Sequence, residues 1–425
     1  MSHPAFDGHG IGPRFFVLLL VAGSLIAIAH PAQAQAYSVL YNFCSKPNCT
    51  DGYYSAGNLV LDKSGNLYGT TELGGTGPDC NSFFKGCGTV FELTPARPGS
   101  YTVLYSFTGD PDGGFPATLM FDPKGNLFGT TLFGGTSDSG TVFELASGGT
   151  EKVLYSFTGG ADGFFPEGPL VSDPNGNLYG TTAAGGPYDC FEGGGCGTVF
   201  EVSPDGTETT LYAFTGAADD GQPYGGVVRD AEGNLYGTTA QSEDLGPQPG
   251  TVFKLTPSGV EMQLYSFLGG KDGSGPEAAV SMDSKGNLWG TTYYGGKEAC
   301  YDLLENGCGV VFKVTKSGKE TVRHKFTGGK DGAYPTSGLI EDAQGNLYGT
   351  TYYGGSGTCT GQANGCGVIF KIPKKGKEVV LYTFTGGSDG AYPSASLVLD
   401  AEGNLYGTTL YGGANGNGVV FKVTP

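Results

Sequence analysis

The side chains that could do chemistry in this sequence are acids that recur along its length. Seven of the aspartates in Asp-Gly dipeptides recur at regular intervals, each shortly before an apolar run that is typical of a strand. Such an aspartate commonly shapes a turn by accepting hydrogen bonds from backbone amides. Brought together on one face, seven carboxylates could instead hold Ca²⁺ or a cationic ligand. These candidate ligand-binding residues are Asp51, Asp112, Asp162, Asp220, Asp272, Asp331 and Asp389.

Aromatic residues recur at two places in the same spacing. One set follows the Asp-Gly turns and comprises Tyr54, Phe115, Phe165, Tyr334 and Tyr392. The other set precedes paired glycines and completes the candidate ligand-binding residues, with Phe133, Tyr294, Tyr353 and Tyr411. If exposed, these rings could stack on sugar faces or hold apolar ligands. If buried, they would pack between neighbouring repeats beneath glycine-lined loops.

Histidine chemistry has little support in this chain. His324 is the only histidine after residue 30, and it stands where other repeats carry tyrosine. A structural substitution is therefore favoured over a Ser-His-Asp triad, a histidine-ligated zinc or a histidine general base. We assign no catalytic residue and no metal ligand, and Ca²⁺ at the acidic turns is the one cofactor left open.

The charge balance excludes some partners. The chain has 41 acidic and 23 basic residues and a net charge of −18. Phosphate binding needs a basic footprint, so the balance argues against a nucleic-acid partner and against adhesion to an anionic membrane.

The elements that must position these residues belong to a repeat. The phrase Gly-Asn-Leu-Tyr-Gly-Thr-Thr occurs seven times, with Phe128 or Trp289 replacing its tyrosine in two copies. Its asparagines are 51 to 60 residues apart, a period typical of a solenoid, a propeller or an array. Each repeat contains four short strand-like runs separated by turns rich in glycine, of which the chain has 79.

Seven repeats of four strands predict an all-β fold, a seven-bladed β-propeller. Residues 38–43 have the pattern of a fourth strand, and residues 418–423 have the pattern of a third strand. Pairing the two segments would complete the last blade and close the ring, which removes two open sheet edges. The alternative is an open solenoid, which would be expected to carry atypical capping repeats.

The repeated phrases resemble a known family. Gly-Asn-Leu-Tyr-Gly-Thr-Thr and Gly-Thr-Val-Phe-Glu-Leu are similar to the GloVer tandem repeat of secreted or surface-anchored bacterial proteins, over about residues 38–425. The resemblance implies no established activity, so no catalytic residue carries over. The strand pattern is also similar to NHL-type propeller repeats, which include both binding proteins and enzymes.

Ten cysteines fall into five close pairs. Four of the pairs lie in the longest loops between the second and third strands of a repeat. Local disulfides in an oxidising compartment are the simplest interpretation; metal binding is the alternative, without C-x-x-C spacing or neighbouring histidines. The pairs are Cys44/Cys49, Cys80/Cys87, Cys190/Cys196, Cys300/Cys308 and Cys359/Cys366.

The N-terminus has the pattern of a secretory signal peptide. An apolar run over residues 15–29 is followed by Ala32-Gln33-Ala34, a small-x-small cleavage site. Residues 1–34 are therefore predicted to be removed, leaving a propeller domain over residues 35–425. An uncleaved N-terminal anchor is the alternative. After cleavage we expect a secreted protein, periplasmic or extracellular, without a membrane span and monomeric.

These patterns favour a non-catalytic extracellular binding or scaffold module, for carbohydrate or another cell-surface ligand. The alternative is an extracellular enzyme, such as a polysaccharide lyase, hydrolase or lactonase, with acids and Ca²⁺ at the channel mouth. An enzyme should concentrate unusual residues in a few loops, whereas this sequence repeats nearly everything. The exception is residues 240–249, which lack the paired glycines and the preceding aromatic.

Overall fold

The computed structural model describes residues 36–425 except 79, 81–84, 98–99, 191–193, 218, 241–248, 297–299, 301–306, 356–358 and 360–363. The predicted signal peptide, residues 1–34, lies outside the described residues and stays a prediction. Most of the loop that departs from the repeat, residues 241–248, lies outside them as well.

Four-stranded antiparallel sheets, seven in number, form the blades of a β-propeller. Blade one has β2 (Val60–Leu61), β3 (Leu67–Thr71), β4 (Thr89–Leu93) and β5 (Tyr101–Ser106). Blade two has β6 (Gly114–Phe121), β7 (Leu127–Phe133), β8 (Thr141–Leu145) and β9 (Glu151–Ser156). Blade three has β10 (Val171–Ser172), β11 (Leu178–Thr182), β12 (Thr198–Val202) and β13 (Glu208–Ala213).

The other four blades have the same order. Blade four has β14 (Val227–Arg229), β15 (Leu235–Thr239), β16 (Thr251–Leu255) and β17 (Glu261–Ser266). Blade five has β18 (Ser281–Met282), β19 (Leu288–Thr292), β20 (Val310–Val314) and β21 (Glu320–Lys325). Blade six has β22 (Ile340–Glu341), β23 (Leu347–Thr351), β24 (Val368–Ile372) and β25 (Val379–Thr383). Blade seven combines β26 (Val398–Leu399), β27 (Leu405–Thr408) and β28 (Val419–Thr424) with β1 (Ala36–Asn42). One short 3₁₀ helix spans Pro47–Cys49.

The N-terminal strand closes the ring, as the sequence predicts. Strand β1 pairs antiparallel with β28 from Ala36 opposite Thr424 to Asn42 opposite Val419. The ring of Tyr37 stacks on that of Tyr382 in blade six, with 3.9 Å between their centroids. The predicted seven-bladed propeller is thus confirmed, including its closure, and no open solenoid end remains in the part of the chain that the structure describes.

Pairs of buried phenylalanines hold neighbouring blades together. The fourth-strand phenylalanine of one blade meets the third-strand phenylalanine of the next edge-to-face, at centroid distances of 5.0–5.6 Å. Pairs of this geometry contribute beyond the apolar area that they bury. The pairs are Phe43–Phe91, Phe107–Phe143, Phe157–Phe200, Phe214–Phe253, Phe267–Phe312, Phe326–Phe370 and Phe384–Phe421.

The glycine inside the repeated phrase makes room for these rings. Gly69 in β3 lies opposite Phe91 in β4, and a Cβ added to Gly69 would come within 2.6 Å of the Phe91 ring. The other blades repeat this contact, for example at Gly180 and Phe200. The phrase therefore carries glycine at this place because the core ring occupies the space of a side chain.

The aspartates that end the first strands are architectural. Asp62 accepts hydrogen bonds from the backbone amides of Ser64 and Asn66 at 2.7 and 2.9 Å, and from the Asn66 side chain at 2.9 Å. The corresponding aspartates make the same contacts with the asparagine of each repeat. These seven acids shape the turn between strands one and two, where Gly65 adopts a φ of +81°.

Candidate channel-mouth site

A central channel passes between the innermost segments of all seven blades. Its cavity has a volume of about 450 Å³ and is lined by the residues that lead into each first strand. We call the end with the long connections, from strand four to one and from two to three, the loop face. The opposite end is the turn face. One equivalent position in each blade lines the channel: Ala56, Ala117, Glu167, Tyr224, Glu277, Thr336 and Ser394.

Three glutamates line this channel, from blades one, three and five. Burial between the channel walls raises the pKa of Glu72 to about 8 and that of Glu277 to about 7, and the charge of Glu167 contributes to both shifts. Burial also raises the pKa of Glu167. The channel therefore concentrates three carboxyl groups whose pKa values are raised by burial, those of Glu72 and Glu277 into the neutral range. Among the described residues, no three His, Cys, Asp or Glu side chains meet in the geometry of a metal site.

The sequence analysis missed these three glutamates. Glu167 and Glu277 occupy a place where the other blades have alanine, serine, threonine or tyrosine. Glu72 follows the repeated Thr-Thr, where other blades have leucine, alanine or tyrosine. The available signal was a glutamate in one or two copies of a repeat position that is uncharged in the others, which a search for acids recurring in every copy passes over.

The Asp-Gly aspartates lie on the loop face with their oxygens bonded locally. Asp112 accepts hydrogen bonds from the amide and hydroxyl of Thr108 and from the hydroxyl of Tyr105 at 2.6 Å. Asp51, Asp162, Asp272, Asp331 and Asp389 likewise bond to residues of the preceding strand and turn. These contacts fit the turn-forming interpretation of the set.

Asp219, not Asp220, occupies this place in blade four. Its carboxylate accepts from the amide of Thr215 at 2.9 Å and from the Tyr212 hydroxyl at 2.8 Å. The aspartate follows its threonine by four residues here, as Asp112 follows Thr108. The Asp-Gly pattern predicts Asp220 as the turn aspartate of blade four, because the pattern does not include the spacing from the threonine.

Asp220 has a different structural role. It is 2% exposed, has a φ of +57°, and its Oδ2 accepts from the amide of Gly250 at 3.0 Å. In blade three the equivalent amide, that of Gly197, donates to the carbonyl of Gly185 in the paired glycines. Blade four lacks those glycines, so the Asp220 carboxylate supplies the missing acceptor. Burial, and then the charge of Asp219, raise the pKa of Asp220 to about 7.

Eight tyrosines from blades five, six, seven and one form a continuous arc on the loop face. Neighbouring rings lie 4.6 to 5.9 Å apart, centroid to centroid. Tyr334 and Tyr392 are buried, whereas Tyr411 is 44% exposed. The tyrosine arc comprises Tyr293, Tyr294, Tyr334, Tyr352, Tyr353, Tyr392, Tyr411 and Tyr54.

The arc adjoins the channel glutamates. The charge of Glu72 contributes to raising the pKa of Tyr54, and that of Glu277 contributes to raising the pKa of Tyr293, after burial in both cases. Burial and the neighbouring tyrosines raise the pKa of Tyr352 to about 12. Three of the predicted ligand-binding aromatics, Tyr294, Tyr353 and Tyr411, lie in this arc.

Phe133, the fourth predicted aromatic, lies in a separate cluster. Its ring contacts Phe115 at 5.3 Å and Phe165 at 4.9 Å, which links blades two and three. In the sequence, blade four carries Gln222 and Gln241 at the two aromatic positions. The aromatic surface therefore divides into a tyrosine arc and a smaller phenylalanine cluster.

Five of these aromatics have an unusual backbone conformation. Tyr54, Phe115, Phe165, Tyr334 and Tyr392 have φ between +54° and +61°, which bulky residues seldom adopt. Two backbone hydrogen bonds hold Tyr334 in place: its amide donates to the carbonyl of Cys308, and its carbonyl accepts from the amide of Tyr352. Residues held in this region cost free energy and cluster at binding sites, so the surrounding structure fixes these rings at a cost in stability.

Five disulfides join the predicted cysteine pairs. Four of them brace the long loops on the loop face, and each of these four packs against a glycine of the following connection, as Cys300 does against Gly328. Disulfides persist in oxidising compartments, which indicates an extracellular or periplasmic protein. Over the described residues, no helix is long and apolar enough to cross a membrane.

The second cysteine of these pairs lies in the loop before the third strand, as predicted, and is also buried in the core. Cys87 and Cys196 are both 0% exposed. Cys87 packs with Phe107 between blades one and two, and Cys196 packs with Phe214 between blades three and four. The physical reason is position, since each directly precedes the glycine that leads into a buried third strand. Cys87 and Cys196 are therefore structural residues, out of reach of a ligand at the surface.

Three solved structures of bacterial proteins are similar to this chain in fold. Virginiamycin B lyase from Staphylococcus aureus is 13% identical, with a TM-score of 0.57 over 92% of this chain and 99% of that one. The extracellular domain of a proposed one-component system from B. thetaiotaomicron is 13% identical, with a TM-score of 0.54 over 92% of this chain and 41% of that one. PorZ, a surface component of the type-IX secretion system of Porphyromonas gingivalis, is 14% identical, with a TM-score of 0.51 over 88% of this chain and 46% of that one.

At such identities the similarity shows the fold alone. No protein with a curated description matches this sequence. A family profile matches three overlapping stretches, residues 23–246, 77–304 and 191–359, which together span most of the chain. The recurring phrase, the seven blades and this match agree, and the chain belongs to the Gloeobacter/Verrucomicrobia repeat family.

Proposed function

We propose that this protein is a non-catalytic extracellular binding module that holds carbohydrate at the channel mouth. The observation that carries the proposal is the tyrosine arc, in which four consecutive blades bring eight rings together on one face. Aromatic rings pack against the apolar faces of sugars, and their hydroxyls can bond to sugar hydroxyls. Secretion through a cleaved signal peptide belongs to the same proposal, and N-terminal sequencing of the exported protein should start at residue 35.

The arc is suited to binding because its rings are held in place before a ligand arrives. Tyr334 and Tyr392 are buried, and their backbone is fixed by hydrogen bonds to the preceding blades. They support the more exposed rings of Tyr353 and Tyr411 at 5.4 to 5.9 Å. A side chain that is already ordered loses little conformational entropy on binding. The channel glutamates beside the arc add hydrogen-bond acceptors for sugar hydroxyls.

A glycan array, followed by calorimetry on the glycans that bind, tests this function. We expect Tyr411→Ala and Tyr353→Ala to weaken binding at least tenfold. Tyr188→Ala is the matched control, because Tyr188 is 48% exposed but lies outside the arc. Failure to bind any glycan would refute the proposal. Binding that Tyr188→Ala weakens as much as Tyr411→Ala would show that the arc is not the site.

The channel glutamates favour a second candidate, an enzyme that acts on an extracellular polymer or lactone. A general acid works best with a pKa near the working pH, and the pKa values of Glu72 and Glu277 lie in that range. Incubation with polysaccharides and lactones, with and without Ca²⁺, should release product from the wild type and not from a Glu72→Gln/Glu277→Gln variant. Equal product from both would exclude these residues as the acids.

A further inference from the structure

Positive charge in this acidic protein is concentrated in blades five and six. Thirteen of its 23 lysines and arginines lie between residues 271 and 377. Four of them line a groove between these two blades on the turn face, at the end opposite to the tyrosine arc. The four residues that define this basic groove are Lys285, Lys313, Arg323 and Lys374.

The groove is long enough for a short polymer segment. Its main cavity has a volume of about 300 Å³. Beside it lies a second cavity of about 640 Å³ along the first strand of blade six, and the two share Ser284, Glu341, Gly345 and Lys374. A single inorganic ion would fill only a small part of this space.

The cations of the groove have no ion-pair partner among the described residues. The one ion pair among the described residues joins His324 and Asp331, neither of which lines the groove. Two acids also line the groove. Asp283 is occupied by hydrogen bonds from Asn287 at 2.7 Å and from the Trp289 indole at 3.3 Å. Burial and then the charge of Asp283 raise the pKa of Glu341, while the charges of Lys374 and Lys313 oppose that shift. With Asp342 of the adjoining cavity included, four cations face three acids, which leaves the groove basic in a protein of net charge −18.

Two of the cations depart from the repeat. Every fourth strand has a β-bulge, and the bulged residue is leucine in six blades but Arg323 in blade five. A bulge re-aims its side chain, and the Arg323 guanidinium donates to the carbonyl of Pro373 at 3.4 Å across the groove. Lys374 stands where Pro95, Pro204 and Pro257 follow the third strand of other blades. The architecture does not need these cations, since the other blades fold without them.

The groove also contains the chain's one tryptophan. Trp289 is partly exposed, and the Lys313 ammonium lies 5.0 Å from the centre of its ring. Indole and Pro373 offer apolar surface, while Lys313 and Arg323 offer charge. A sugar ring that carries a carboxylate or a sulfate has the matching chemistry, an apolar face beside an anion.

We infer that the groove between blades five and six binds an acidic oligosaccharide. Its sugar ring packs beside Trp289, and its carboxylate or sulfate groups bond to Lys313, Arg323 and Lys374. A long nucleic acid fits less well, because the strongly acidic surface outside the groove repels its phosphates. The inference is independent of the tyrosine arc, which lies on the other face.

Tryptophan fluorescence measures occupancy directly, since Trp289 is the only emitter of its kind. We titrate the full-length protein with tetragalacturonate, with a heparin hexasaccharide and with neutral cellotetraose. A saturable change is expected with one or both acidic sugars and none with cellotetraose, and the affinity should fall as NaCl is raised. Tetragalacturonate alone would identify carboxylate as the recognised group, and heparin alone would identify sulfate.

Variants then test the groove. Arg323→Leu restores the residue of the other blades, so it should fold normally and bind about tenfold more weakly. Lys374→Gln should act in the same direction. The matched control is Lys254→Gln, which removes a lysine stacked in the same way over Tyr236 in blade four; its affinity should be unchanged. No binding of either acidic sugar, equal loss in Lys254→Gln and Arg323→Leu, or equally tight binding of a single-stranded DNA 12-mer would overturn the inference.

Discussion

Replacing Phe43 by alanine measures how much the closed ring depends on its N-terminal strand. Phe43 follows β1 and is fully buried between Phe91 at 5.6 Å and Tyr101 at 6.2 Å, both in blade one. Removing a buried phenylalanine side chain costs about 3–5 kcal/mol of the free energy of unfolding. We expect Phe43→Ala to cost this amount, because the residue occupies the same place as the phenylalanines inside the ring.

The matched control is Phe214→Ala in blade three. Phe214 is equally buried and meets Phe253 at 5.2 Å, but no chain end lies nearby. Urea unfolding followed by circular dichroism should give the same loss for both variants, with an unchanged m-value. Phe43→Leu keeps most of the volume and should cost about 1.5 kcal/mol or less. If Phe43→Ala costs below about 1 kcal/mol while Phe214→Ala costs several, the seam contributes little to stability and the reasoning is refuted.

Three further predictions concern residues outside the proposed binding sites. The pKa of Asp220 is about 7 in the fold, so the protonated carboxyl contributes stability at low pH that is lost as the pH rises from about 4 to 7. Asp220→Asn should therefore match the free energy of unfolding of the wild type at pH 4 and exceed it at pH 8 in urea unfolding. A difference that does not depend on pH would contradict this. Replacing Cys359 and Cys366 by alanine removes a disulfide that closes a short loop and should lower the free energy of unfolding by about 2–3 kcal/mol on the chain-entropy account. Thermal unfolding should show a lower midpoint, and an unchanged midpoint would refute the prediction. In the other six repeats a tyrosine hydroxyl donates to the turn aspartate at 2.5–3.0 Å, and His324→Tyr restores this hydroxyl. The variant should raise the free energy of unfolding by about 1 kcal/mol at pH 8. A lower unfolding midpoint would count against the repeat assignment.

The architecture was predictable because each feature is stated seven times in the sequence. Strand ends follow from the glycines and aspartates of each copy, and closure follows from the register of the first and last segments. The residues of the candidate site were harder to predict from the sequence. Glu72, Glu167 and Glu277 each occur in a position where most other copies carry an uncharged residue, so a search for recurrence discards them. Asp219 was displaced by its neighbour Asp220 because the Asp-Gly letters are a weaker guide than the spacing from Thr215.

The continuous ring has a consequence for the order in which the molecule is made. Among the strands of the ring, β1 is synthesised first and its partner β28 last, so the closing pair has a larger sequence separation than any other strand pair in the ring. Such non-local pairing is slow, and an unpaired strand invites contact with other chains. The seam should therefore form in the final step of folding, after six blades are complete. A circular permutant that opens the chain between two other blades would keep the same contacts but complete a different blade last, so the position of the seam selects a folding route without changing the folded ring.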